Sequence, residues 1–286
     1  MITITFTNNK IFIYKKYFMT YFNELGQGRI GWKSPGSGFD TDAQAFITAA
    51  EITGTTQQSA IDTLVKSLKS ANIWNKMKAI YPFVGGTAAQ HRFNLKDPRT
   101  VNAAFYLDFL GGGTHSAAGY LPNGNSYADT KLGANLLQTN NHLSYYSRTS
   151  TVNVQIEVGA YDNLPAGIIC QLRTAGNYIS GTVASAANFS TISSALGFWL
   201  GTKRSNTDRE VYLNGNSQSS VTANASELLP SINMYLGARN KGGTSAELYS
   251  TKQCAFASIG DGLTDAEAAN FYTAVQTFQT TLSRAV

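Results

Sequence analysis

The chain has 286 residues, 43% of them hydrophobic and 12% aromatic, which is enough to build a buried core and argues against disorder. Charged residues are only 14% of the total, and polarity is carried instead by 30 Thr, 25 Ser, 23 Asn and 26 Gly, residue types of strands, turns and loops. The formal net charge of +5 lies mostly in residues 1–33, where Lys10, Lys15, Lys16, Arg29 and Lys33 outnumber Glu24. Residues 34–286 are nearly neutral, so the basic stripe that nucleic-acid binding needs is absent.

Residues 1–18 read as two apolar-alternating runs around Asn8-Asn9, the pattern of a β-hairpin, or as an extension upstream of a start at Met19. They lack the basic start, long apolar stretch and small-residue cleavage site of a secretory signal. Residues 19–38 carry Gly26, Gly28, Gly31, Pro35 and Gly36 and are expected to be extended and flexible. Their Gly-x-Gly lacks the strand–helix unit of a phosphate loop.

Helical periodicity begins after Asp40, with Ala43, Phe46, Ile47 and Ala50 on one face. Thr55 and Gln58 form a capping-box pattern ahead of a second helix whose apolar face is Ile61, Leu64, Val65 and Leu68. Residues 39–79 thus read as a helical adaptor. From Ile80 onward the pattern becomes short strands: 80–84, 92–95, 103–109, 143–148, 153–158, 168–173, 179–183, 196–202, 210–213, 232–238 and 254–259. Gly and Asn turns separate them, as in an antiparallel sandwich or jelly roll. Thr264 and Glu267 form a second capping box, opening a helix over 264–282 with Ala268, Phe271, Tyr272, Val275 and Phe278 on its apolar face.

The sequence offers little for catalysis. Glycoside hydrolysis needs two carboxyl groups flanking one bond, yet the strand acids Asp108, Glu157 and Glu210 are far apart in sequence. His91, His115 and His142 show no local metal-binding spacing, and they read as loop or strand-edge residues. Asp265 and Glu267 resemble part of a calcium loop but suit the first turn of a helix better. Cys170 and Cys254 read as buried thiols, with a disulfide as the alternative. No cofactor or metal is expected, and no apolar run is long enough to span a membrane.

Binding fits better than catalysis. Tyr145, Tyr146 and Arg148, and Tyr235 with Arg239 and Asn240, place aromatic rings beside amide and guanidinium donors, a combination suited to sugars. The expected ligand-binding residues are Tyr145, Tyr146, Arg148, Arg239 and Asn240. The alternative is that one tyrosine of each group faces the core and the arginines solubilise the surface.

Leu196-Gly-Phe-Trp-Leu-Gly, Glu210-Val-Tyr-Leu-Asn-Gly, Ile232-Asn-Met-Tyr-Leu-Gly-Ala-Arg-Asn and Phe256-Ala-Ser-Ile-Gly-Asp-Gly-Leu-Thr resemble the later strands of concanavalin A-like, laminin-G-like jelly rolls. Over a longer span, Asp42-Ala-Gln-Ala-Phe-Ile-Thr-Ala-Ala, Trp74-Asn-Lys-Met-Lys-Ala-Ile-Tyr-Pro-Phe-Val-Gly-Gly-Thr-Ala and His91-Arg-Phe-Asn-Leu-Lys-Asp-Pro-Arg, with the head Tyr21-Phe-Asn-Glu-Leu-Gly-Gln-Gly-Arg-Ile-Gly, are similar to virion-associated structural proteins of tailed phages, especially those infecting Bacteroidota. That resemblance implies a non-enzymatic virion component, attached to capsid, tail or fibre, whose Gly-rich N-terminal segment contacts other virion proteins and whose jelly roll meets host-surface glycans. The alternatives are a free carbohydrate-binding module or lectin and, less favoured by the missing acid pair, a polysaccharide-degrading hydrolase.

Overall fold

The computed structural model describes residues 2–7, 10–15, 18–21, 38–138, 140–151, 155–162, 167–171, 176–177, 179–182, 191–192, 194–222 and 228–286. Two units are distinguished, residues 1–39 and 40–286. In the first, β1 (Ile2–Thr7), β2 (Lys10–Lys15) and β3 (Phe18–Tyr21) pair as an antiparallel sheet in the order β1-β2-β3, which realises the expected hairpin. Asn8, Asn9 and the Gly-rich stretch 22–37 lie outside the described residues.

The second unit begins with two helices. Asp40 caps α1 (Thr41–Ala49) by accepting the Asp42 amide at 3.0 Å. The expected capping box of α2 (Thr55–Ser70) does not form. Its N-cap is Gly54, and Gln58 instead donates to the Ile52 carbonyl at 2.7 Å. The chain then continues through β4 (Met77–Tyr81), the one-turn α3 (Ala88–His91), β5 (Asp108–Leu110), β6 (Thr114–Ser116), β7 (Gly119–Leu121), β8 (Tyr127–Gly133), β9 (Asn141–Ser147) and β10 (Val158–Tyr161). There follow β11 (Gly167–Gln171), β12 (Gly176–Asn177), β13 (Ile179–Thr182), β14 (Thr191–Ile192), β15 (Gly197–Ser205), β16 (Asp208–Leu213), β17 (Asn216–Val221), β18 (Asn233–Leu236), β19 (Arg239–Lys241), β20 (Ser245–Glu247), β21 (Cys254–Gly260) and α4 (Asp265–Thr281).

These strands form a mainly antiparallel jelly-roll sandwich, the class expected from the sequence. One sheet has the order β17-β16-β15-β9-β21-β7-β6, with β4 also on β21. The other has the order β13-β11-β10-β18-β8-β5, with β19 joined to β10 and β20 to β19. The β10–β19 pair is parallel. Strand ends shift from the sequence expectation where turns intervene. The expected strand at 92–95 follows α3 without forming and takes part only in an isolated Asn94–Asp97 bridge, and of 103–109 only Asp108 and Phe109 are strand, after a one-turn helix at Asn102–Ala104.

Period-two alternation fills the space between the sheets. Tyr145, Leu143, Trp199, Val211, Ala257 and Ile259 from the first sheet meet Ala128, Leu132, Val158, Ala160, Met234 and Leu236 from the second. Where β7 meets β21 the backbones nearly touch. Gly119 has φ +119°, and a Cβ there would lie 2.1 Å from the Cys254 carbonyl oxygen.

The outer face of the first sheet is also buried, because α4 lies across it. Phe271 meets Phe198 edge-on at 5.2 Å and Phe256 at 5.9 Å, and Phe278 adds a contact to Phe256 at 6.3 Å. The expected capping box at Thr264 and Glu267 is present in both its halves. Lys76 adds an ion pair to Glu267 at 2.6 Å. Helix α2 packs against α4, so the helices read from sequence as an adaptor fold into one unit with the sandwich.

Candidate functional site

With one sheet roofed by α4, the outer face of the other sheet is where the described side chains meet solvent in a regular array. In β8 buried Ala128, Thr130 and Leu132 alternate with half-buried Tyr127, Asp129 and Lys131. In β18 Met234 and Leu236 point in, while Asn233 and Tyr235 point out. In β19 Arg239 and Lys241 flank the buried Asn240.

An apolar row crosses this face. Leu110, 40% exposed, sits directly opposite Tyr127 in the β5–β8 ladder. Tyr127 stacks on Tyr235 with ring centroids 4.5 Å apart, and Tyr249 approaches Tyr127 at 6.2 Å. Burial, with Tyr127 and Asp129 nearby, pushes the Tyr235 hydroxyl up to about 12, so that hydroxyl is uncharged at neutral pH.

Two polar clusters border the row. On one side Asp129 accepts from Asn233 Nδ2 at 3.1 Å, and Lys131 Nζ lies 3.2 Å from both Asp108 and Asp129. Lys131 occupies an irregularity in the β8–β18 register with φ +58°, a left-handed conformation uncommon for a residue with a side chain. The Thr130 hydroxyl holds that turn by donating to the Met234 carbonyl at 2.7 Å and accepting the Leu132 amide at 3.2 Å. On the other side the Arg239 guanidinium lies 4.6 Å over the Tyr161 ring and pairs with Glu247, which also binds Lys241 at 3.3 Å.

The five residues singled out in the sequence do not converge here. Tyr145 is fully buried between the sheets and donates to the Lys252 carbonyl at 2.6 Å. Tyr146 points to the opposite face, buried beneath α4, with its hydroxyl 3.0 Å from both Gln276 Oε1 and the Val286 amide. Neither ring is open to a ligand, because consecutive residues of this strand meet two different packed layers. Arg148 supports the C-terminal segment through the Arg284 carbonyl at 2.9 Å and Gln253 at 3.2 Å. Asn240 faces inward and ties its own turn to Asn233 and Gly243. Arg239 alone of the five stands on the open face. Tyr235, grouped with it in the sequence, stands there too. Tyr127, Tyr249 and Leu110 were missed, although the alternation of Tyr127-Ala-Asp-Thr-Lys-Leu carried the signal for β8.

Other candidates are occupied by structural roles. Asp108, Glu157 and Glu210 bind three different cations, Lys131, Lys252 and Arg204. The Glu157–Lys252 pair is completely buried, with Ser250 and Gln155 supplying further bonds. His91 and His115 face each other with Nδ1 atoms 3.0 Å apart, and burial, then His115, lower the buried His91 to about 3. His142 is elsewhere, its ring bonded to the Asp261 carbonyl and the Ser258 hydroxyl. No group of three or more metal-ligating side chains occurs among the described residues. Cys254 is buried, its thiol donating to the Phe256 carbonyl at 3.3 Å; the Cys170 side chain lies outside the described residues. No described helix is long and apolar enough to cross a membrane.

No family model matches the sequence, and no curated protein matches it. Among solved structures the chain is similar to domain 4 of AbnA, a GH43 extracellular arabinanase from Geobacillus stearothermophilus in complex with arabinotriose. The match has 18% identity and a TM-score of 0.43, covering 68% of this chain and 98% of that one. The CBM40 of the Ruminococcus gnavus IT-sialidase aligns at 15% identity and a TM-score of 0.34, over 47% of this chain and 83% of that one. A mutant Trypanosoma rangeli sialidase displaying trans-sialidase activity aligns at 9% identity and a TM-score of 0.44, and the chain spans 44% of its length.

Proposed function

We propose that this chain is a non-catalytic carbohydrate-binding protein whose ligand lies along the Leu110–Tyr127–Tyr235 row. The observation that carries this reading is the stacked, half-exposed tyrosine pair on the sheet face opposite the one α4 covers. Rings set there by strand geometry offer apolar surface to the C–H side of a sugar at little entropic cost, with fixed amide, carboxylate and guanidinium groups beside them for hydroxyls. Carboxylates already engaged by Lys131 and Glu247 already engaged by Arg239 suit binding better than acid–base chemistry. The test is a glycan array and calorimetry with the full chain. Binding is expected, with a loss of at least about tenfold in Tyr127→Ala and Tyr235→Ala, the cost of one good contact; no binding to any glycan would reject the reading.

A second reading places this binding on a phage virion as host-surface adhesion. It is supported by the resemblance of residues 42–50, 74–88 and 91–99 to phage structural proteins and by the division of residues 1–39 from the sandwich unit, which suits an attachment segment. Deleting residues 19–38 is expected to abolish incorporation into particles while leaving the sandwich folded, checked by particle proteomics and circular dichroism.

A further inference from the structure

We infer that the ligand of this face is an uncharged oligosaccharide spanning at least two sugar units, rather than a sialylated or uronic-acid glycan. This inference rests on the carbohydrate-binding reading above and specifies its ligand class.

Recognition of an anionic sugar depends on a cation with attraction to spare, commonly an arginine fork open to a carboxylate. On this face each described cation of the two polar clusters is already closed by acids of the face itself. Lys131 lies between Asp108 and Asp129, and Arg239 and Lys241 share Glu247. Three cations therefore meet three carboxylates, and the clusters sum to zero. Arg239 is occupied on a further side, since its guanidinium also covers the Tyr161 ring. The Glu247 carboxylate stays ionised at neutral pH: against the effect of burial, Arg239 and Lys241 hold it below its usual range. A sugar carboxylate would have to displace Glu247 or Asp129 from a formed ion pair and bring a fourth negative charge beside them.

A neutral sugar meets none of these penalties. Its apolar side meets Leu110, Tyr127 and Tyr235, and its hydroxyls meet groups that pairing has already fixed in place. These residues sit on three neighbouring strands, β5, β8 and β18. At about 4.8 Å between strands the row is about 10 Å long, room for two sugar rings side by side across the strands.

The experiment compares retention of the full chain on neutral polysaccharides (arabinan, xylan, mannan, glucan) and acidic ones (polygalacturonate, polysialic acid), at low and high ionic strength. The expected result is retention on a neutral polymer, changing by less than about twofold with salt because no ion pair forms on binding. Monosaccharides should bind at least about tenfold more weakly than the disaccharide. Glu247→Gln opens Arg239 and Lys241 and is expected to create salt-sensitive retention on the acidic polymers. Wild-type retention on acidic polymers alone, abolished by salt and by Tyr127→Ala, would overturn the ligand class while leaving the binding face intact. Retention on neither class would overturn both.

Discussion

The two sheets of the sandwich share one core but differ on their outer sides. Behind the β15-β9-β21 sheet, Phe198 and Phe256 are covered by Phe271 and Phe278 of α4, and β9 and β21 are buried on both faces along their whole length. Behind the β10-β18-β8 sheet, the outward positions hold tyrosines, paired charges and a left-handed lysine, all partly exposed. The first arrangement maximises burial, the dominant favourable contribution to folding. The second leaves aromatic area and backbone strain at the surface, where they add little to stability and are available for a ligand.

This contrast makes its largest prediction on the covered side. Phe271 touches Phe198, Phe256 and His142 and is fully buried. Phe271→Ala is expected to cost about 3–5 kcal/mol in denaturant unfolding, the usual cost of an aromatic cavity. Glycan affinity of the fraction that remains folded should be unchanged. On the open side the relation reverses. Tyr127→Ala removes a half-exposed cross-strand pair and should cost under about 1 kcal/mol of stability, yet under the proposed function it is expected to remove most of the binding. If Tyr127→Ala destabilised as much as Phe271→Ala, the open face would be structural rather than functional.

The covered side was the more legible of the two in the sequence. A strong 3.6-residue stripe with a Thr264–Glu267 box defines α4, and such a stripe demands a cover, which β9, β15 and β21 supply. The open face was harder to read for a physical reason. Its inward positions in β8 are Ala128, Thr130 and Leu132, two of them weakly apolar, and the bulge at Lys131 interrupts the pairing with β18. Tyr145 and Tyr146 are adjacent, and adjacency in a strand sends two rings to opposite faces. Both faces of β9 are packed, so both rings became core. Tyr127 and Tyr235 are 108 residues apart and meet only through the β8–β18 pairing, a long-range register that local patterning does not reveal.

Lys131 provides the smallest and sharpest test of the comparison. Asp108 and Asp129 are direct cross-strand partners, so without a cation between them two like charges would oppose each other. The ammonium prevents this: although burial disfavours its charge, Asp129 and then Asp108 hold Lys131 above the ordinary lysine range. Lys131→Met keeps the apolar stem and removes only the charge. The expected loss is about 1 kcal/mol, shrinking as salt screens the Asp108–Asp129 repulsion. In a core site a buried unpaired carboxylate would respond weakly to salt. A salt-insensitive loss of several kcal/mol at Lys131 would therefore show that this sheet face is covered, like its counterpart beneath α4, and is not a surface that meets a ligand.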